Sequence, residues 1–362
     1  TVASIDPLGR RGTMVYDAGG RGVANINPLN FRNTTVYNIA NEAVASVDPL
    51  PRRSSMVYDS AGQMKASISP LLNRTTMIYD AMGRQVAVRN ALNYRTSTVY
   101  DAAGRTVAMV DALANRSSNV YDAADRTVAS INALGFRTTS IYDVANRTLA
   151  VRNALNNRTS FAYDAANQQR RMTNALANST TQLYDAAGQT IATINPLLFR
   201  TSYLYDGAGR QLAVRDANNN RTTAIYDVAG RNLASLNALN IRVTTVYDRA
   251  SQRTGLVDGR ANRTSFAYDP NGRQVYVMDA LLRRTTYGYD SAGQQTLRID
   301  GRSLRTTYAY DAEGKTIGWK YQDQTRATQV YDAVGQRTKI HDWTGRYTYN
   351  FDAVGRTLLA SD

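Results

Sequence analysis

Sixteen tyrosines recur every 21 residues without a break, from Tyr16, Tyr37 and Tyr58 through Tyr100 and Tyr121 to Tyr310 and Tyr331. Phe351 then follows one residue early. Aspartate stands after every one of these tyrosines except Tyr37, where Asn38 takes its place. A period this strict means one supersecondary unit copied in tandem, each copy burying its surface mainly against its neighbours. It overrides the two or three domains that 362 residues would otherwise suggest.

With the tyrosine as position 1, the unit reads Y-D-x-A-G-R-x-V-A-x-I-N-A/P-L-x-x-R-T-T-x-V, as in Tyr100 to Val120. Position 17 is Arg from Arg11 to Arg326, failing only at Ser179. Positions 17 to 1, such as Arg95-Thr96-Ser97-Thr98-Val99-Tyr100, are rich in residues that suit a pleated, half-buried surface. Position 5 is Gly at twelve of seventeen sites, and Asn41, Asp125, Asn146, Asn167 and Ser251 fill the rest. Serine aside, these types tolerate a left-handed backbone, which predicts a three-residue hairpin loop closed at position 5. The aspartate at position 2 accepts a backbone N–H within it.

Positions 7–12, such as Thr106 to Asp111, form the returning strand, and a second turn follows. Five of the seven prolines (Pro7, Pro28, Pro49, Pro70 and Pro196) share position 13, the i+1 site of a type I turn. If Asp101 pairs with Arg105, Tyr100 faces Thr106 and Val99 faces Val107. One face then carries Ser97, Val99 and Val107, and the other Tyr100, Ala108 and Val110. No helical periodicity competes. The expectation is an all-β fold of tandem hairpins, about 34 strands stacked at ~4.8 Å. Twisted sheets rarely pass ~10 strands without curling, so the ribbon must wind into a spiral, tube or β-solenoid.

Composition narrows the function. Net charge is +14, from 43 basic and 29 acidic residues, yet only four of the basic residues are Lys. The arginines sit at fixed repeat positions instead of clustering, which favours structural ladders and makes nucleic acid an unlikely partner. Polysaccharide or another acidic surface polymer remains the alternative partner. Cysteine is absent, and no 20-residue apolar span exists in this chain. The single histidine, His341, occupies a strand position where Ile or Val is usual, so neither a two-His metal site nor a supported triad is available. One Asp per 21 residues falls short of the six to eight oxygens that Ca²⁺ takes. No catalytic residue, cofactor or metal is expected.

Asn-x-Ser/Thr occurs eight times, six of them at position 16: Asn73, Asn115, Asn157, Asn178, Asn220 and Asn262. That turn could accept a glycan. The same residues are also what a turn followed by Arg-Thr requires. Beyond about residue 250 the unit drifts: Ala at position 9 gives way to Gly255, Tyr276, Leu297, Gly318 and Lys339, and Trp319 and Trp343 appear. This divides a highly regular array, 1–250, from divergent, aromatic-richer repeats, 251–362, continuous with it.

The string Arg-Thr-Thr-x-x-Tyr-Asp-x-x-Gly-Arg, whole at Arg221–Arg231 and nearly so at Arg284–Gln294, resembles the Rhs/YD-repeat family over essentially the whole chain. The resemblance implies a spiral β-sheet shell like those of Rhs proteins, Tc-toxin cocoons, teneurins and bacterial wall-associated YD proteins. It also implies a secreted or cell-surface location. The family's Asp-Pro-x-Gly-Leu cleavage motif is not matched, since Arg273 follows Asp269-Pro270-Asn271-Gly272. The uniform period points to an extracellular structural scaffold, a fibre or tubular filament. A cocoon segment around a toxin encoded downstream is the alternative, and a carbohydrate-binding adhesin a further one. The chain runs from position 7 (Thr1) to position 12 (Asp362), so end-to-end self-association or continuation of the array is expected at its open strand edges.

Overall fold

The computed structural model describes residues 1–361 as 35 strands, from Val2–Ile5 to Thr357–Ser361, with no helix among the described residues. Each strand pairs antiparallel with the one before and the one after it, giving a single continuous meander. The repeat supplies a six-residue strand over positions 17–1 (Arg95–Tyr100) and a five-residue strand over positions 7–11 (Thr106–Val110).

The first turn has the expected form. The Asp101 N–H donates to the Arg105 carbonyl (3.0 Å) and the Gly104 N–H to the Asp101 carbonyl (3.1 Å). Gly104 has φ +82°, and the five non-glycine occupants of position 5 have φ between 61° and 65°. The second turn repeats this geometry: Asp111 N–H to Asn115 carbonyl and Ala114 N–H to Asp111 carbonyl, both 3.0 Å. Position 15 is therefore left-handed as well, at Ala114 (65°), Leu72 (65°), Leu198 (64°) and Leu282 (60°). Residue type conceals this, because alanine and leucine rarely adopt that region.

One expectation needs correcting. Tyr100 does face Thr106, but Val99 faces Ala108 and not Val107, because a bulge lies between the two pairs. Val107 is the extra residue. Ala108 thereby joins Val99, Ser97 and Val110 on one face, while Val107 moves to the face of Tyr100. The same bulge recurs at the same place in each repeat, for example at Val15/Tyr16, Val246/Tyr247 and Asn350/Phe351. A bulge bends its strand and adds twist, so a fixed bulge per repeat gives uniform curvature. The early Phe351 has a local cause too. Its preceding turn closes from Asp342 N–H to the Gly345 carbonyl (3.0 Å), one residue shorter than its counterparts.

Among the described residues the faces hold no conventional core. The buried apolar residues are small, and they are the position-9 alanines Ala24, Ala45, Ala66, Ala87, Ala108, Ala129, Ala150, Ala192, Ala213 and Ala234, together with Ala327. Each position-9 alanine is flanked by position 21 on one ladder and position 19 on the other, as Ala108 is by Val99 and Ser118. The described surface is 22266 Å², whereas a compact monomer of 39.9 kDa would expose about 14,000 Å². The sheet is a wall with two open faces.

Candidate functional site: turn edges and the spiral seam

The wall has two lips, one built by each set of turns. Along the first-turn lip an arginine at position 6, present in nine of the seventeen units, stitches its repeat to the next, as at Arg21, Arg84 and Arg105. Asp101 Oδ1 accepts the N–H groups of Ala103 (3.0 Å) and Arg105 (2.9 Å), and its Oδ2 accepts Arg105 Nε (2.7 Å). Arg105 Nη1 then reaches the next repeat, donating to the Asp122 carbonyl (3.4 Å) and to the Asp125 carboxylate. Its guanidinium lies 4.9 Å above the Tyr121 ring, and the Tyr121 hydroxyl donates to the Thr106 carbonyl (2.8 Å). The backbone N–H of Arg105, followed by its side chain, holds the Asp101 carboxyl below its usual range.

The exception at Asn38 follows the same logic. Glu42 occupies position 6 there, and Asn38 Nδ2 donates to Glu42 Oε2 (2.7 Å) while Asn38 Oδ1 accepts the N–H groups of Ala40 and Glu42. An aspartate beside Glu42 would repel it; asparagine turns the pair into a hydrogen bond.

The second-turn lip meets the first-turn lip of the following revolution. Arg10 and Arg52, at position 16, are fixed by Asp6 and Asp48 just as Arg105 is by Asp101. Their Nη1 atoms reach not the next repeat but Asp269 O (3.3 Å) and Asp311 O (3.2 Å), both 259 residues on. They also donate to Gln252 Oε1 and Gln294 Oε1, 242 residues on. Ser69 and Asn73 donate to Glu313. These offsets bracket the 252 residues of twelve repeats, so the spiral closes after twelve hairpins. Twenty-four strands at ~4.8 Å make a perimeter of about 115 Å and a diameter of roughly 35 Å. Facing sheets touch at ~10 Å, so side chains alone cannot fill that space.

The compositional change near residue 250 falls where the second revolution begins. Positions 3–5 are exposed at every repeat from Ala18–Gly20 to Val228–Gly230, and half-buried at Asn271-Gly272, Ser291-Ala292 and Ala312–Gly314. Four of the five position-13 prolines (Pro7, Pro28, Pro49, Pro70) lie on the lip beneath that seam, and Pro28, Pro49 and Pro70 line its clefts together with Pro270, Ala292 and Glu313.

The glycosylation candidates all lie in the second turns. Asn115, Asn220 and Asn262 donate Nδ2 to Asp111, Asp216 and Asp258 (2.9, 2.9 and 3.0 Å), doing for that turn what arginine does for the first. Asn73 is tied to Glu313 across the seam. Asn157 and Asn178 donate their backbone N–H groups to Asn153 and Asn174. His341 lies in a strand opposite Thr328 and Arg346. Trp343 packs edge-on against Tyr321 (5.6 Å, 73°), and Trp319 Nε1 donates to the Tyr321 hydroxyl.

The RHS Repeat family model matches residues 184–221, from position 1 of one unit to position 17 of the next. That unit recurs in the same frame along the chain. The chain is an array of Rhs/YD repeats. Its fold is that of solved TcdB2-TccC3 chains. The one described as lacking the hypervariable C-terminal region superposes with a TM-score of 0.83 at 16% identity, covering 96% of the Rhs array and 22% of that chain. A second TcdB2-TccC3 structure gives 0.81 at 17%, covering 95% and 23%. The Photorhabdus luminescens Tc holotoxin pore gives 0.81 at 17%, covering 96% and 22%. At such identity the likeness speaks for the fold. The Rhs array spans less than a quarter of the length of these chains. No curated protein sequence matches it.

Proposed function

We propose that this Rhs array is a stretch of cocoon wall, a hollow spiral shell that encloses a polypeptide cargo in a secreted or surface-exposed bacterial protein. The observation that carries this reading is the revolution that closes along its seam after twelve hairpins. Twelve hairpins return the sheet onto itself through the Arg10 and Arg52 contacts, and the buried apolar side chains among the described residues are alanines, too small to occupy a space roughly 35 Å across. The likeness to Tc-toxin chains, one of them described without its hypervariable C-terminal region, supports the cocoon over a fibre. In this reading the wall is structural, and chemistry belongs to whatever it holds.

The test uses the native full-length protein. Electron microscopy should show closed hollow particles with internal density, and limited proteolysis should spare a segment inside the shell until the wall is unfolded. Extended filaments with no enclosed polypeptide would overturn the cocoon in favour of a fibre.

A further inference from the structure

Across the seam, position 6 meets position 16 of the repeat twelve units earlier, and the two rows are matched so that no cation meets a cation. Above the seam the row reads Gln252, Arg273, Gln294, Lys315 and Gln336; beneath it stand Arg10, Phe31, Arg52, Asn73 and Tyr94. One acceptor with two possible donors explains the match. A position-6 arginine gives its Nη1 to the position-2 carbonyl of the next repeat, as Arg273 does to Asp290 O (3.0 Å). Where glutamine stands instead, at Gln252 and Gln294, that carbonyl is left for the seam. Arg10 takes the one at Asp269 and Arg52 the one at Asp311. The two glutamine Oε1 atoms accept from the same arginines, at 3.4 and 3.3 Å.

A seam closed one repeat early or late would break this match. After eleven repeats Arg10 would meet Arg231 and Arg52 would meet Arg273, whose own Nη1 groups already fill the Asp248 and Asp290 carbonyls (both 3.0 Å). After thirteen, Arg10 would meet Arg273 and Arg52 would meet Lys315. All four encounters set cation against cation, at seats where the two seam arginines are only 17% and 16% exposed and water screens them poorly. Glu313 adds an independent mark. It accepts from Ser69, Asn73 and Lys315, whereas Ala292 and Val334, its counterparts one repeat to either side, have no side-chain acceptor.

We infer that Arg10 with Gln252, and Arg52 with Gln294, are the specificity determinants of the seam: they admit a revolution of twelve repeats and reject eleven or thirteen. The recurring bulge bends the ribbon until its lips approach. These pairs then choose among neighbouring closures that differ by one repeat, about 10 Å along the lip. The choice works as much by repelling the wrong partner as by bonding the right one. The two pairs thereby set the width of the shell. The inference rests on closure of the revolution and not on cargo, so it stands whatever the shell encloses.

The chain has no cysteine, so paired thiols can read its register. Ser69→Cys combined with Glu313→Cys reports twelve repeats per revolution; combined with Ala292→Cys it reports eleven, and with Val334→Cys thirteen. A short bismaleimide should link only the first pair in the otherwise native chain. Gln252→Arg together with Gln294→Arg should cut that link about tenfold or more, while circular dichroism still shows a folded sheet. Adding Arg10→Gln and Arg52→Gln exchanges each pair and should restore the link, because the lip arginines then fill both carbonyls. Gln189→Arg, a position-6 change outside the seam, should leave it unchanged. Twelve-repeat linking that persists at native strength in the chain carrying Gln252→Arg and Gln294→Arg overturns the proposal. Failure of the exchanged chain to regain the link would show mere damage to the lip and overturn it too.

Discussion

The guanidinium of Arg105 lies 4.9 Å above the ring of Tyr121, the first residue of the following repeat, whose hydroxyl in turn donates to the Thr106 carbonyl at 2.8 Å. Two residues that define the sequence period are thus the fastening between one hairpin and the next. Comparable stacking joins Arg84 to Tyr100, Arg126 to Tyr142 and Arg231 to Tyr247.

Tyr121→Phe should remove only the hydroxyl bond and cost about 1 kcal/mol. The array already uses Phe351 at this position. Tyr121→Ala removes the ring as well and should cost ~3 kcal/mol or more. Urea melts of the two variants check the order. Equal losses would mean that the ring adds nothing beyond its hydroxyl.

The second turns carry left-handed leucines whose side chains contribute little, for Leu72 and Leu198 are each 82% exposed with φ near +65°. Leu198→Gly should therefore stabilise the array by about 1 kcal/mol as strain is relieved. The reverse holds in the first turn: Gly104→Val should destabilise by roughly 1–3 kcal/mol, and Ala102→Val hardly at all. Thermal melts that rank Leu198→Gly below wild type would contradict the turn geometry.

Much of this architecture was legible in residue types. Gly104 and its Asn and Asp counterparts announce a left-handed turn because few other residues accept one, and Pro28 or Pro49 announces the second turn. Leu72 and Ala114 announce nothing, since their backbone is imposed by the flanking ladders against their own preference. The bulge at Val107 was equally silent, because a bulged residue that keeps a negative φ needs no special side chain. That one residue decides which face Ala108 occupies and how sharply the sheet bends. The twelve-repeat revolution follows from accumulated bend, not from the 21-residue period, so Arg10 and Arg52 could not be paired with Asp269 and Asp311 beforehand. Once the seam is known, the scarcity of arginine at position 16 and the crowding of prolines into the first four repeats become readable signals.

Acid should loosen the first-turn lip. Hydrogen bonds from the backbone N–H and side chain of the position-6 arginine hold Asp101, Asp122, Asp143, Asp206 and Asp227 below the ordinary carboxylate value. A carboxylate whose folded pKa is depressed binds its proton more readily in the unfolded chain. Its stabilisation is therefore complete above the unfolded value of about 3.9 and is lost as pH falls through the lower folded value. Melting temperature should be flat from neutrality to about pH 5 and fall steeply below pH 4. A decline centred near pH 6 would point to another group.

The last prediction concerns charge along the wall. Position-17 arginines form no carboxylate pair among the described residues; several bond instead to the hydroxyl two residues on, as Arg200 does to Ser202. They recur on alternate strands, about 10 Å apart, close to the screening length at 0.1 M salt. In three repeats a second arginine at position 11 faces one of them directly: Arg89 opposite Arg95, Arg152 opposite Arg158, and Arg215 opposite Arg221. Like charges directly opposed across an antiparallel pair are destabilising, by roughly 0.2–1 kcal/mol. Arg152→Val restores the usual residue of that position and should raise stability by that amount at low ionic strength. The gain should shrink as salt is added, since screening relieves the same repulsion in the wild type. Urea melts of both proteins at low and high salt separate this from a simple packing benefit, which salt would leave intact.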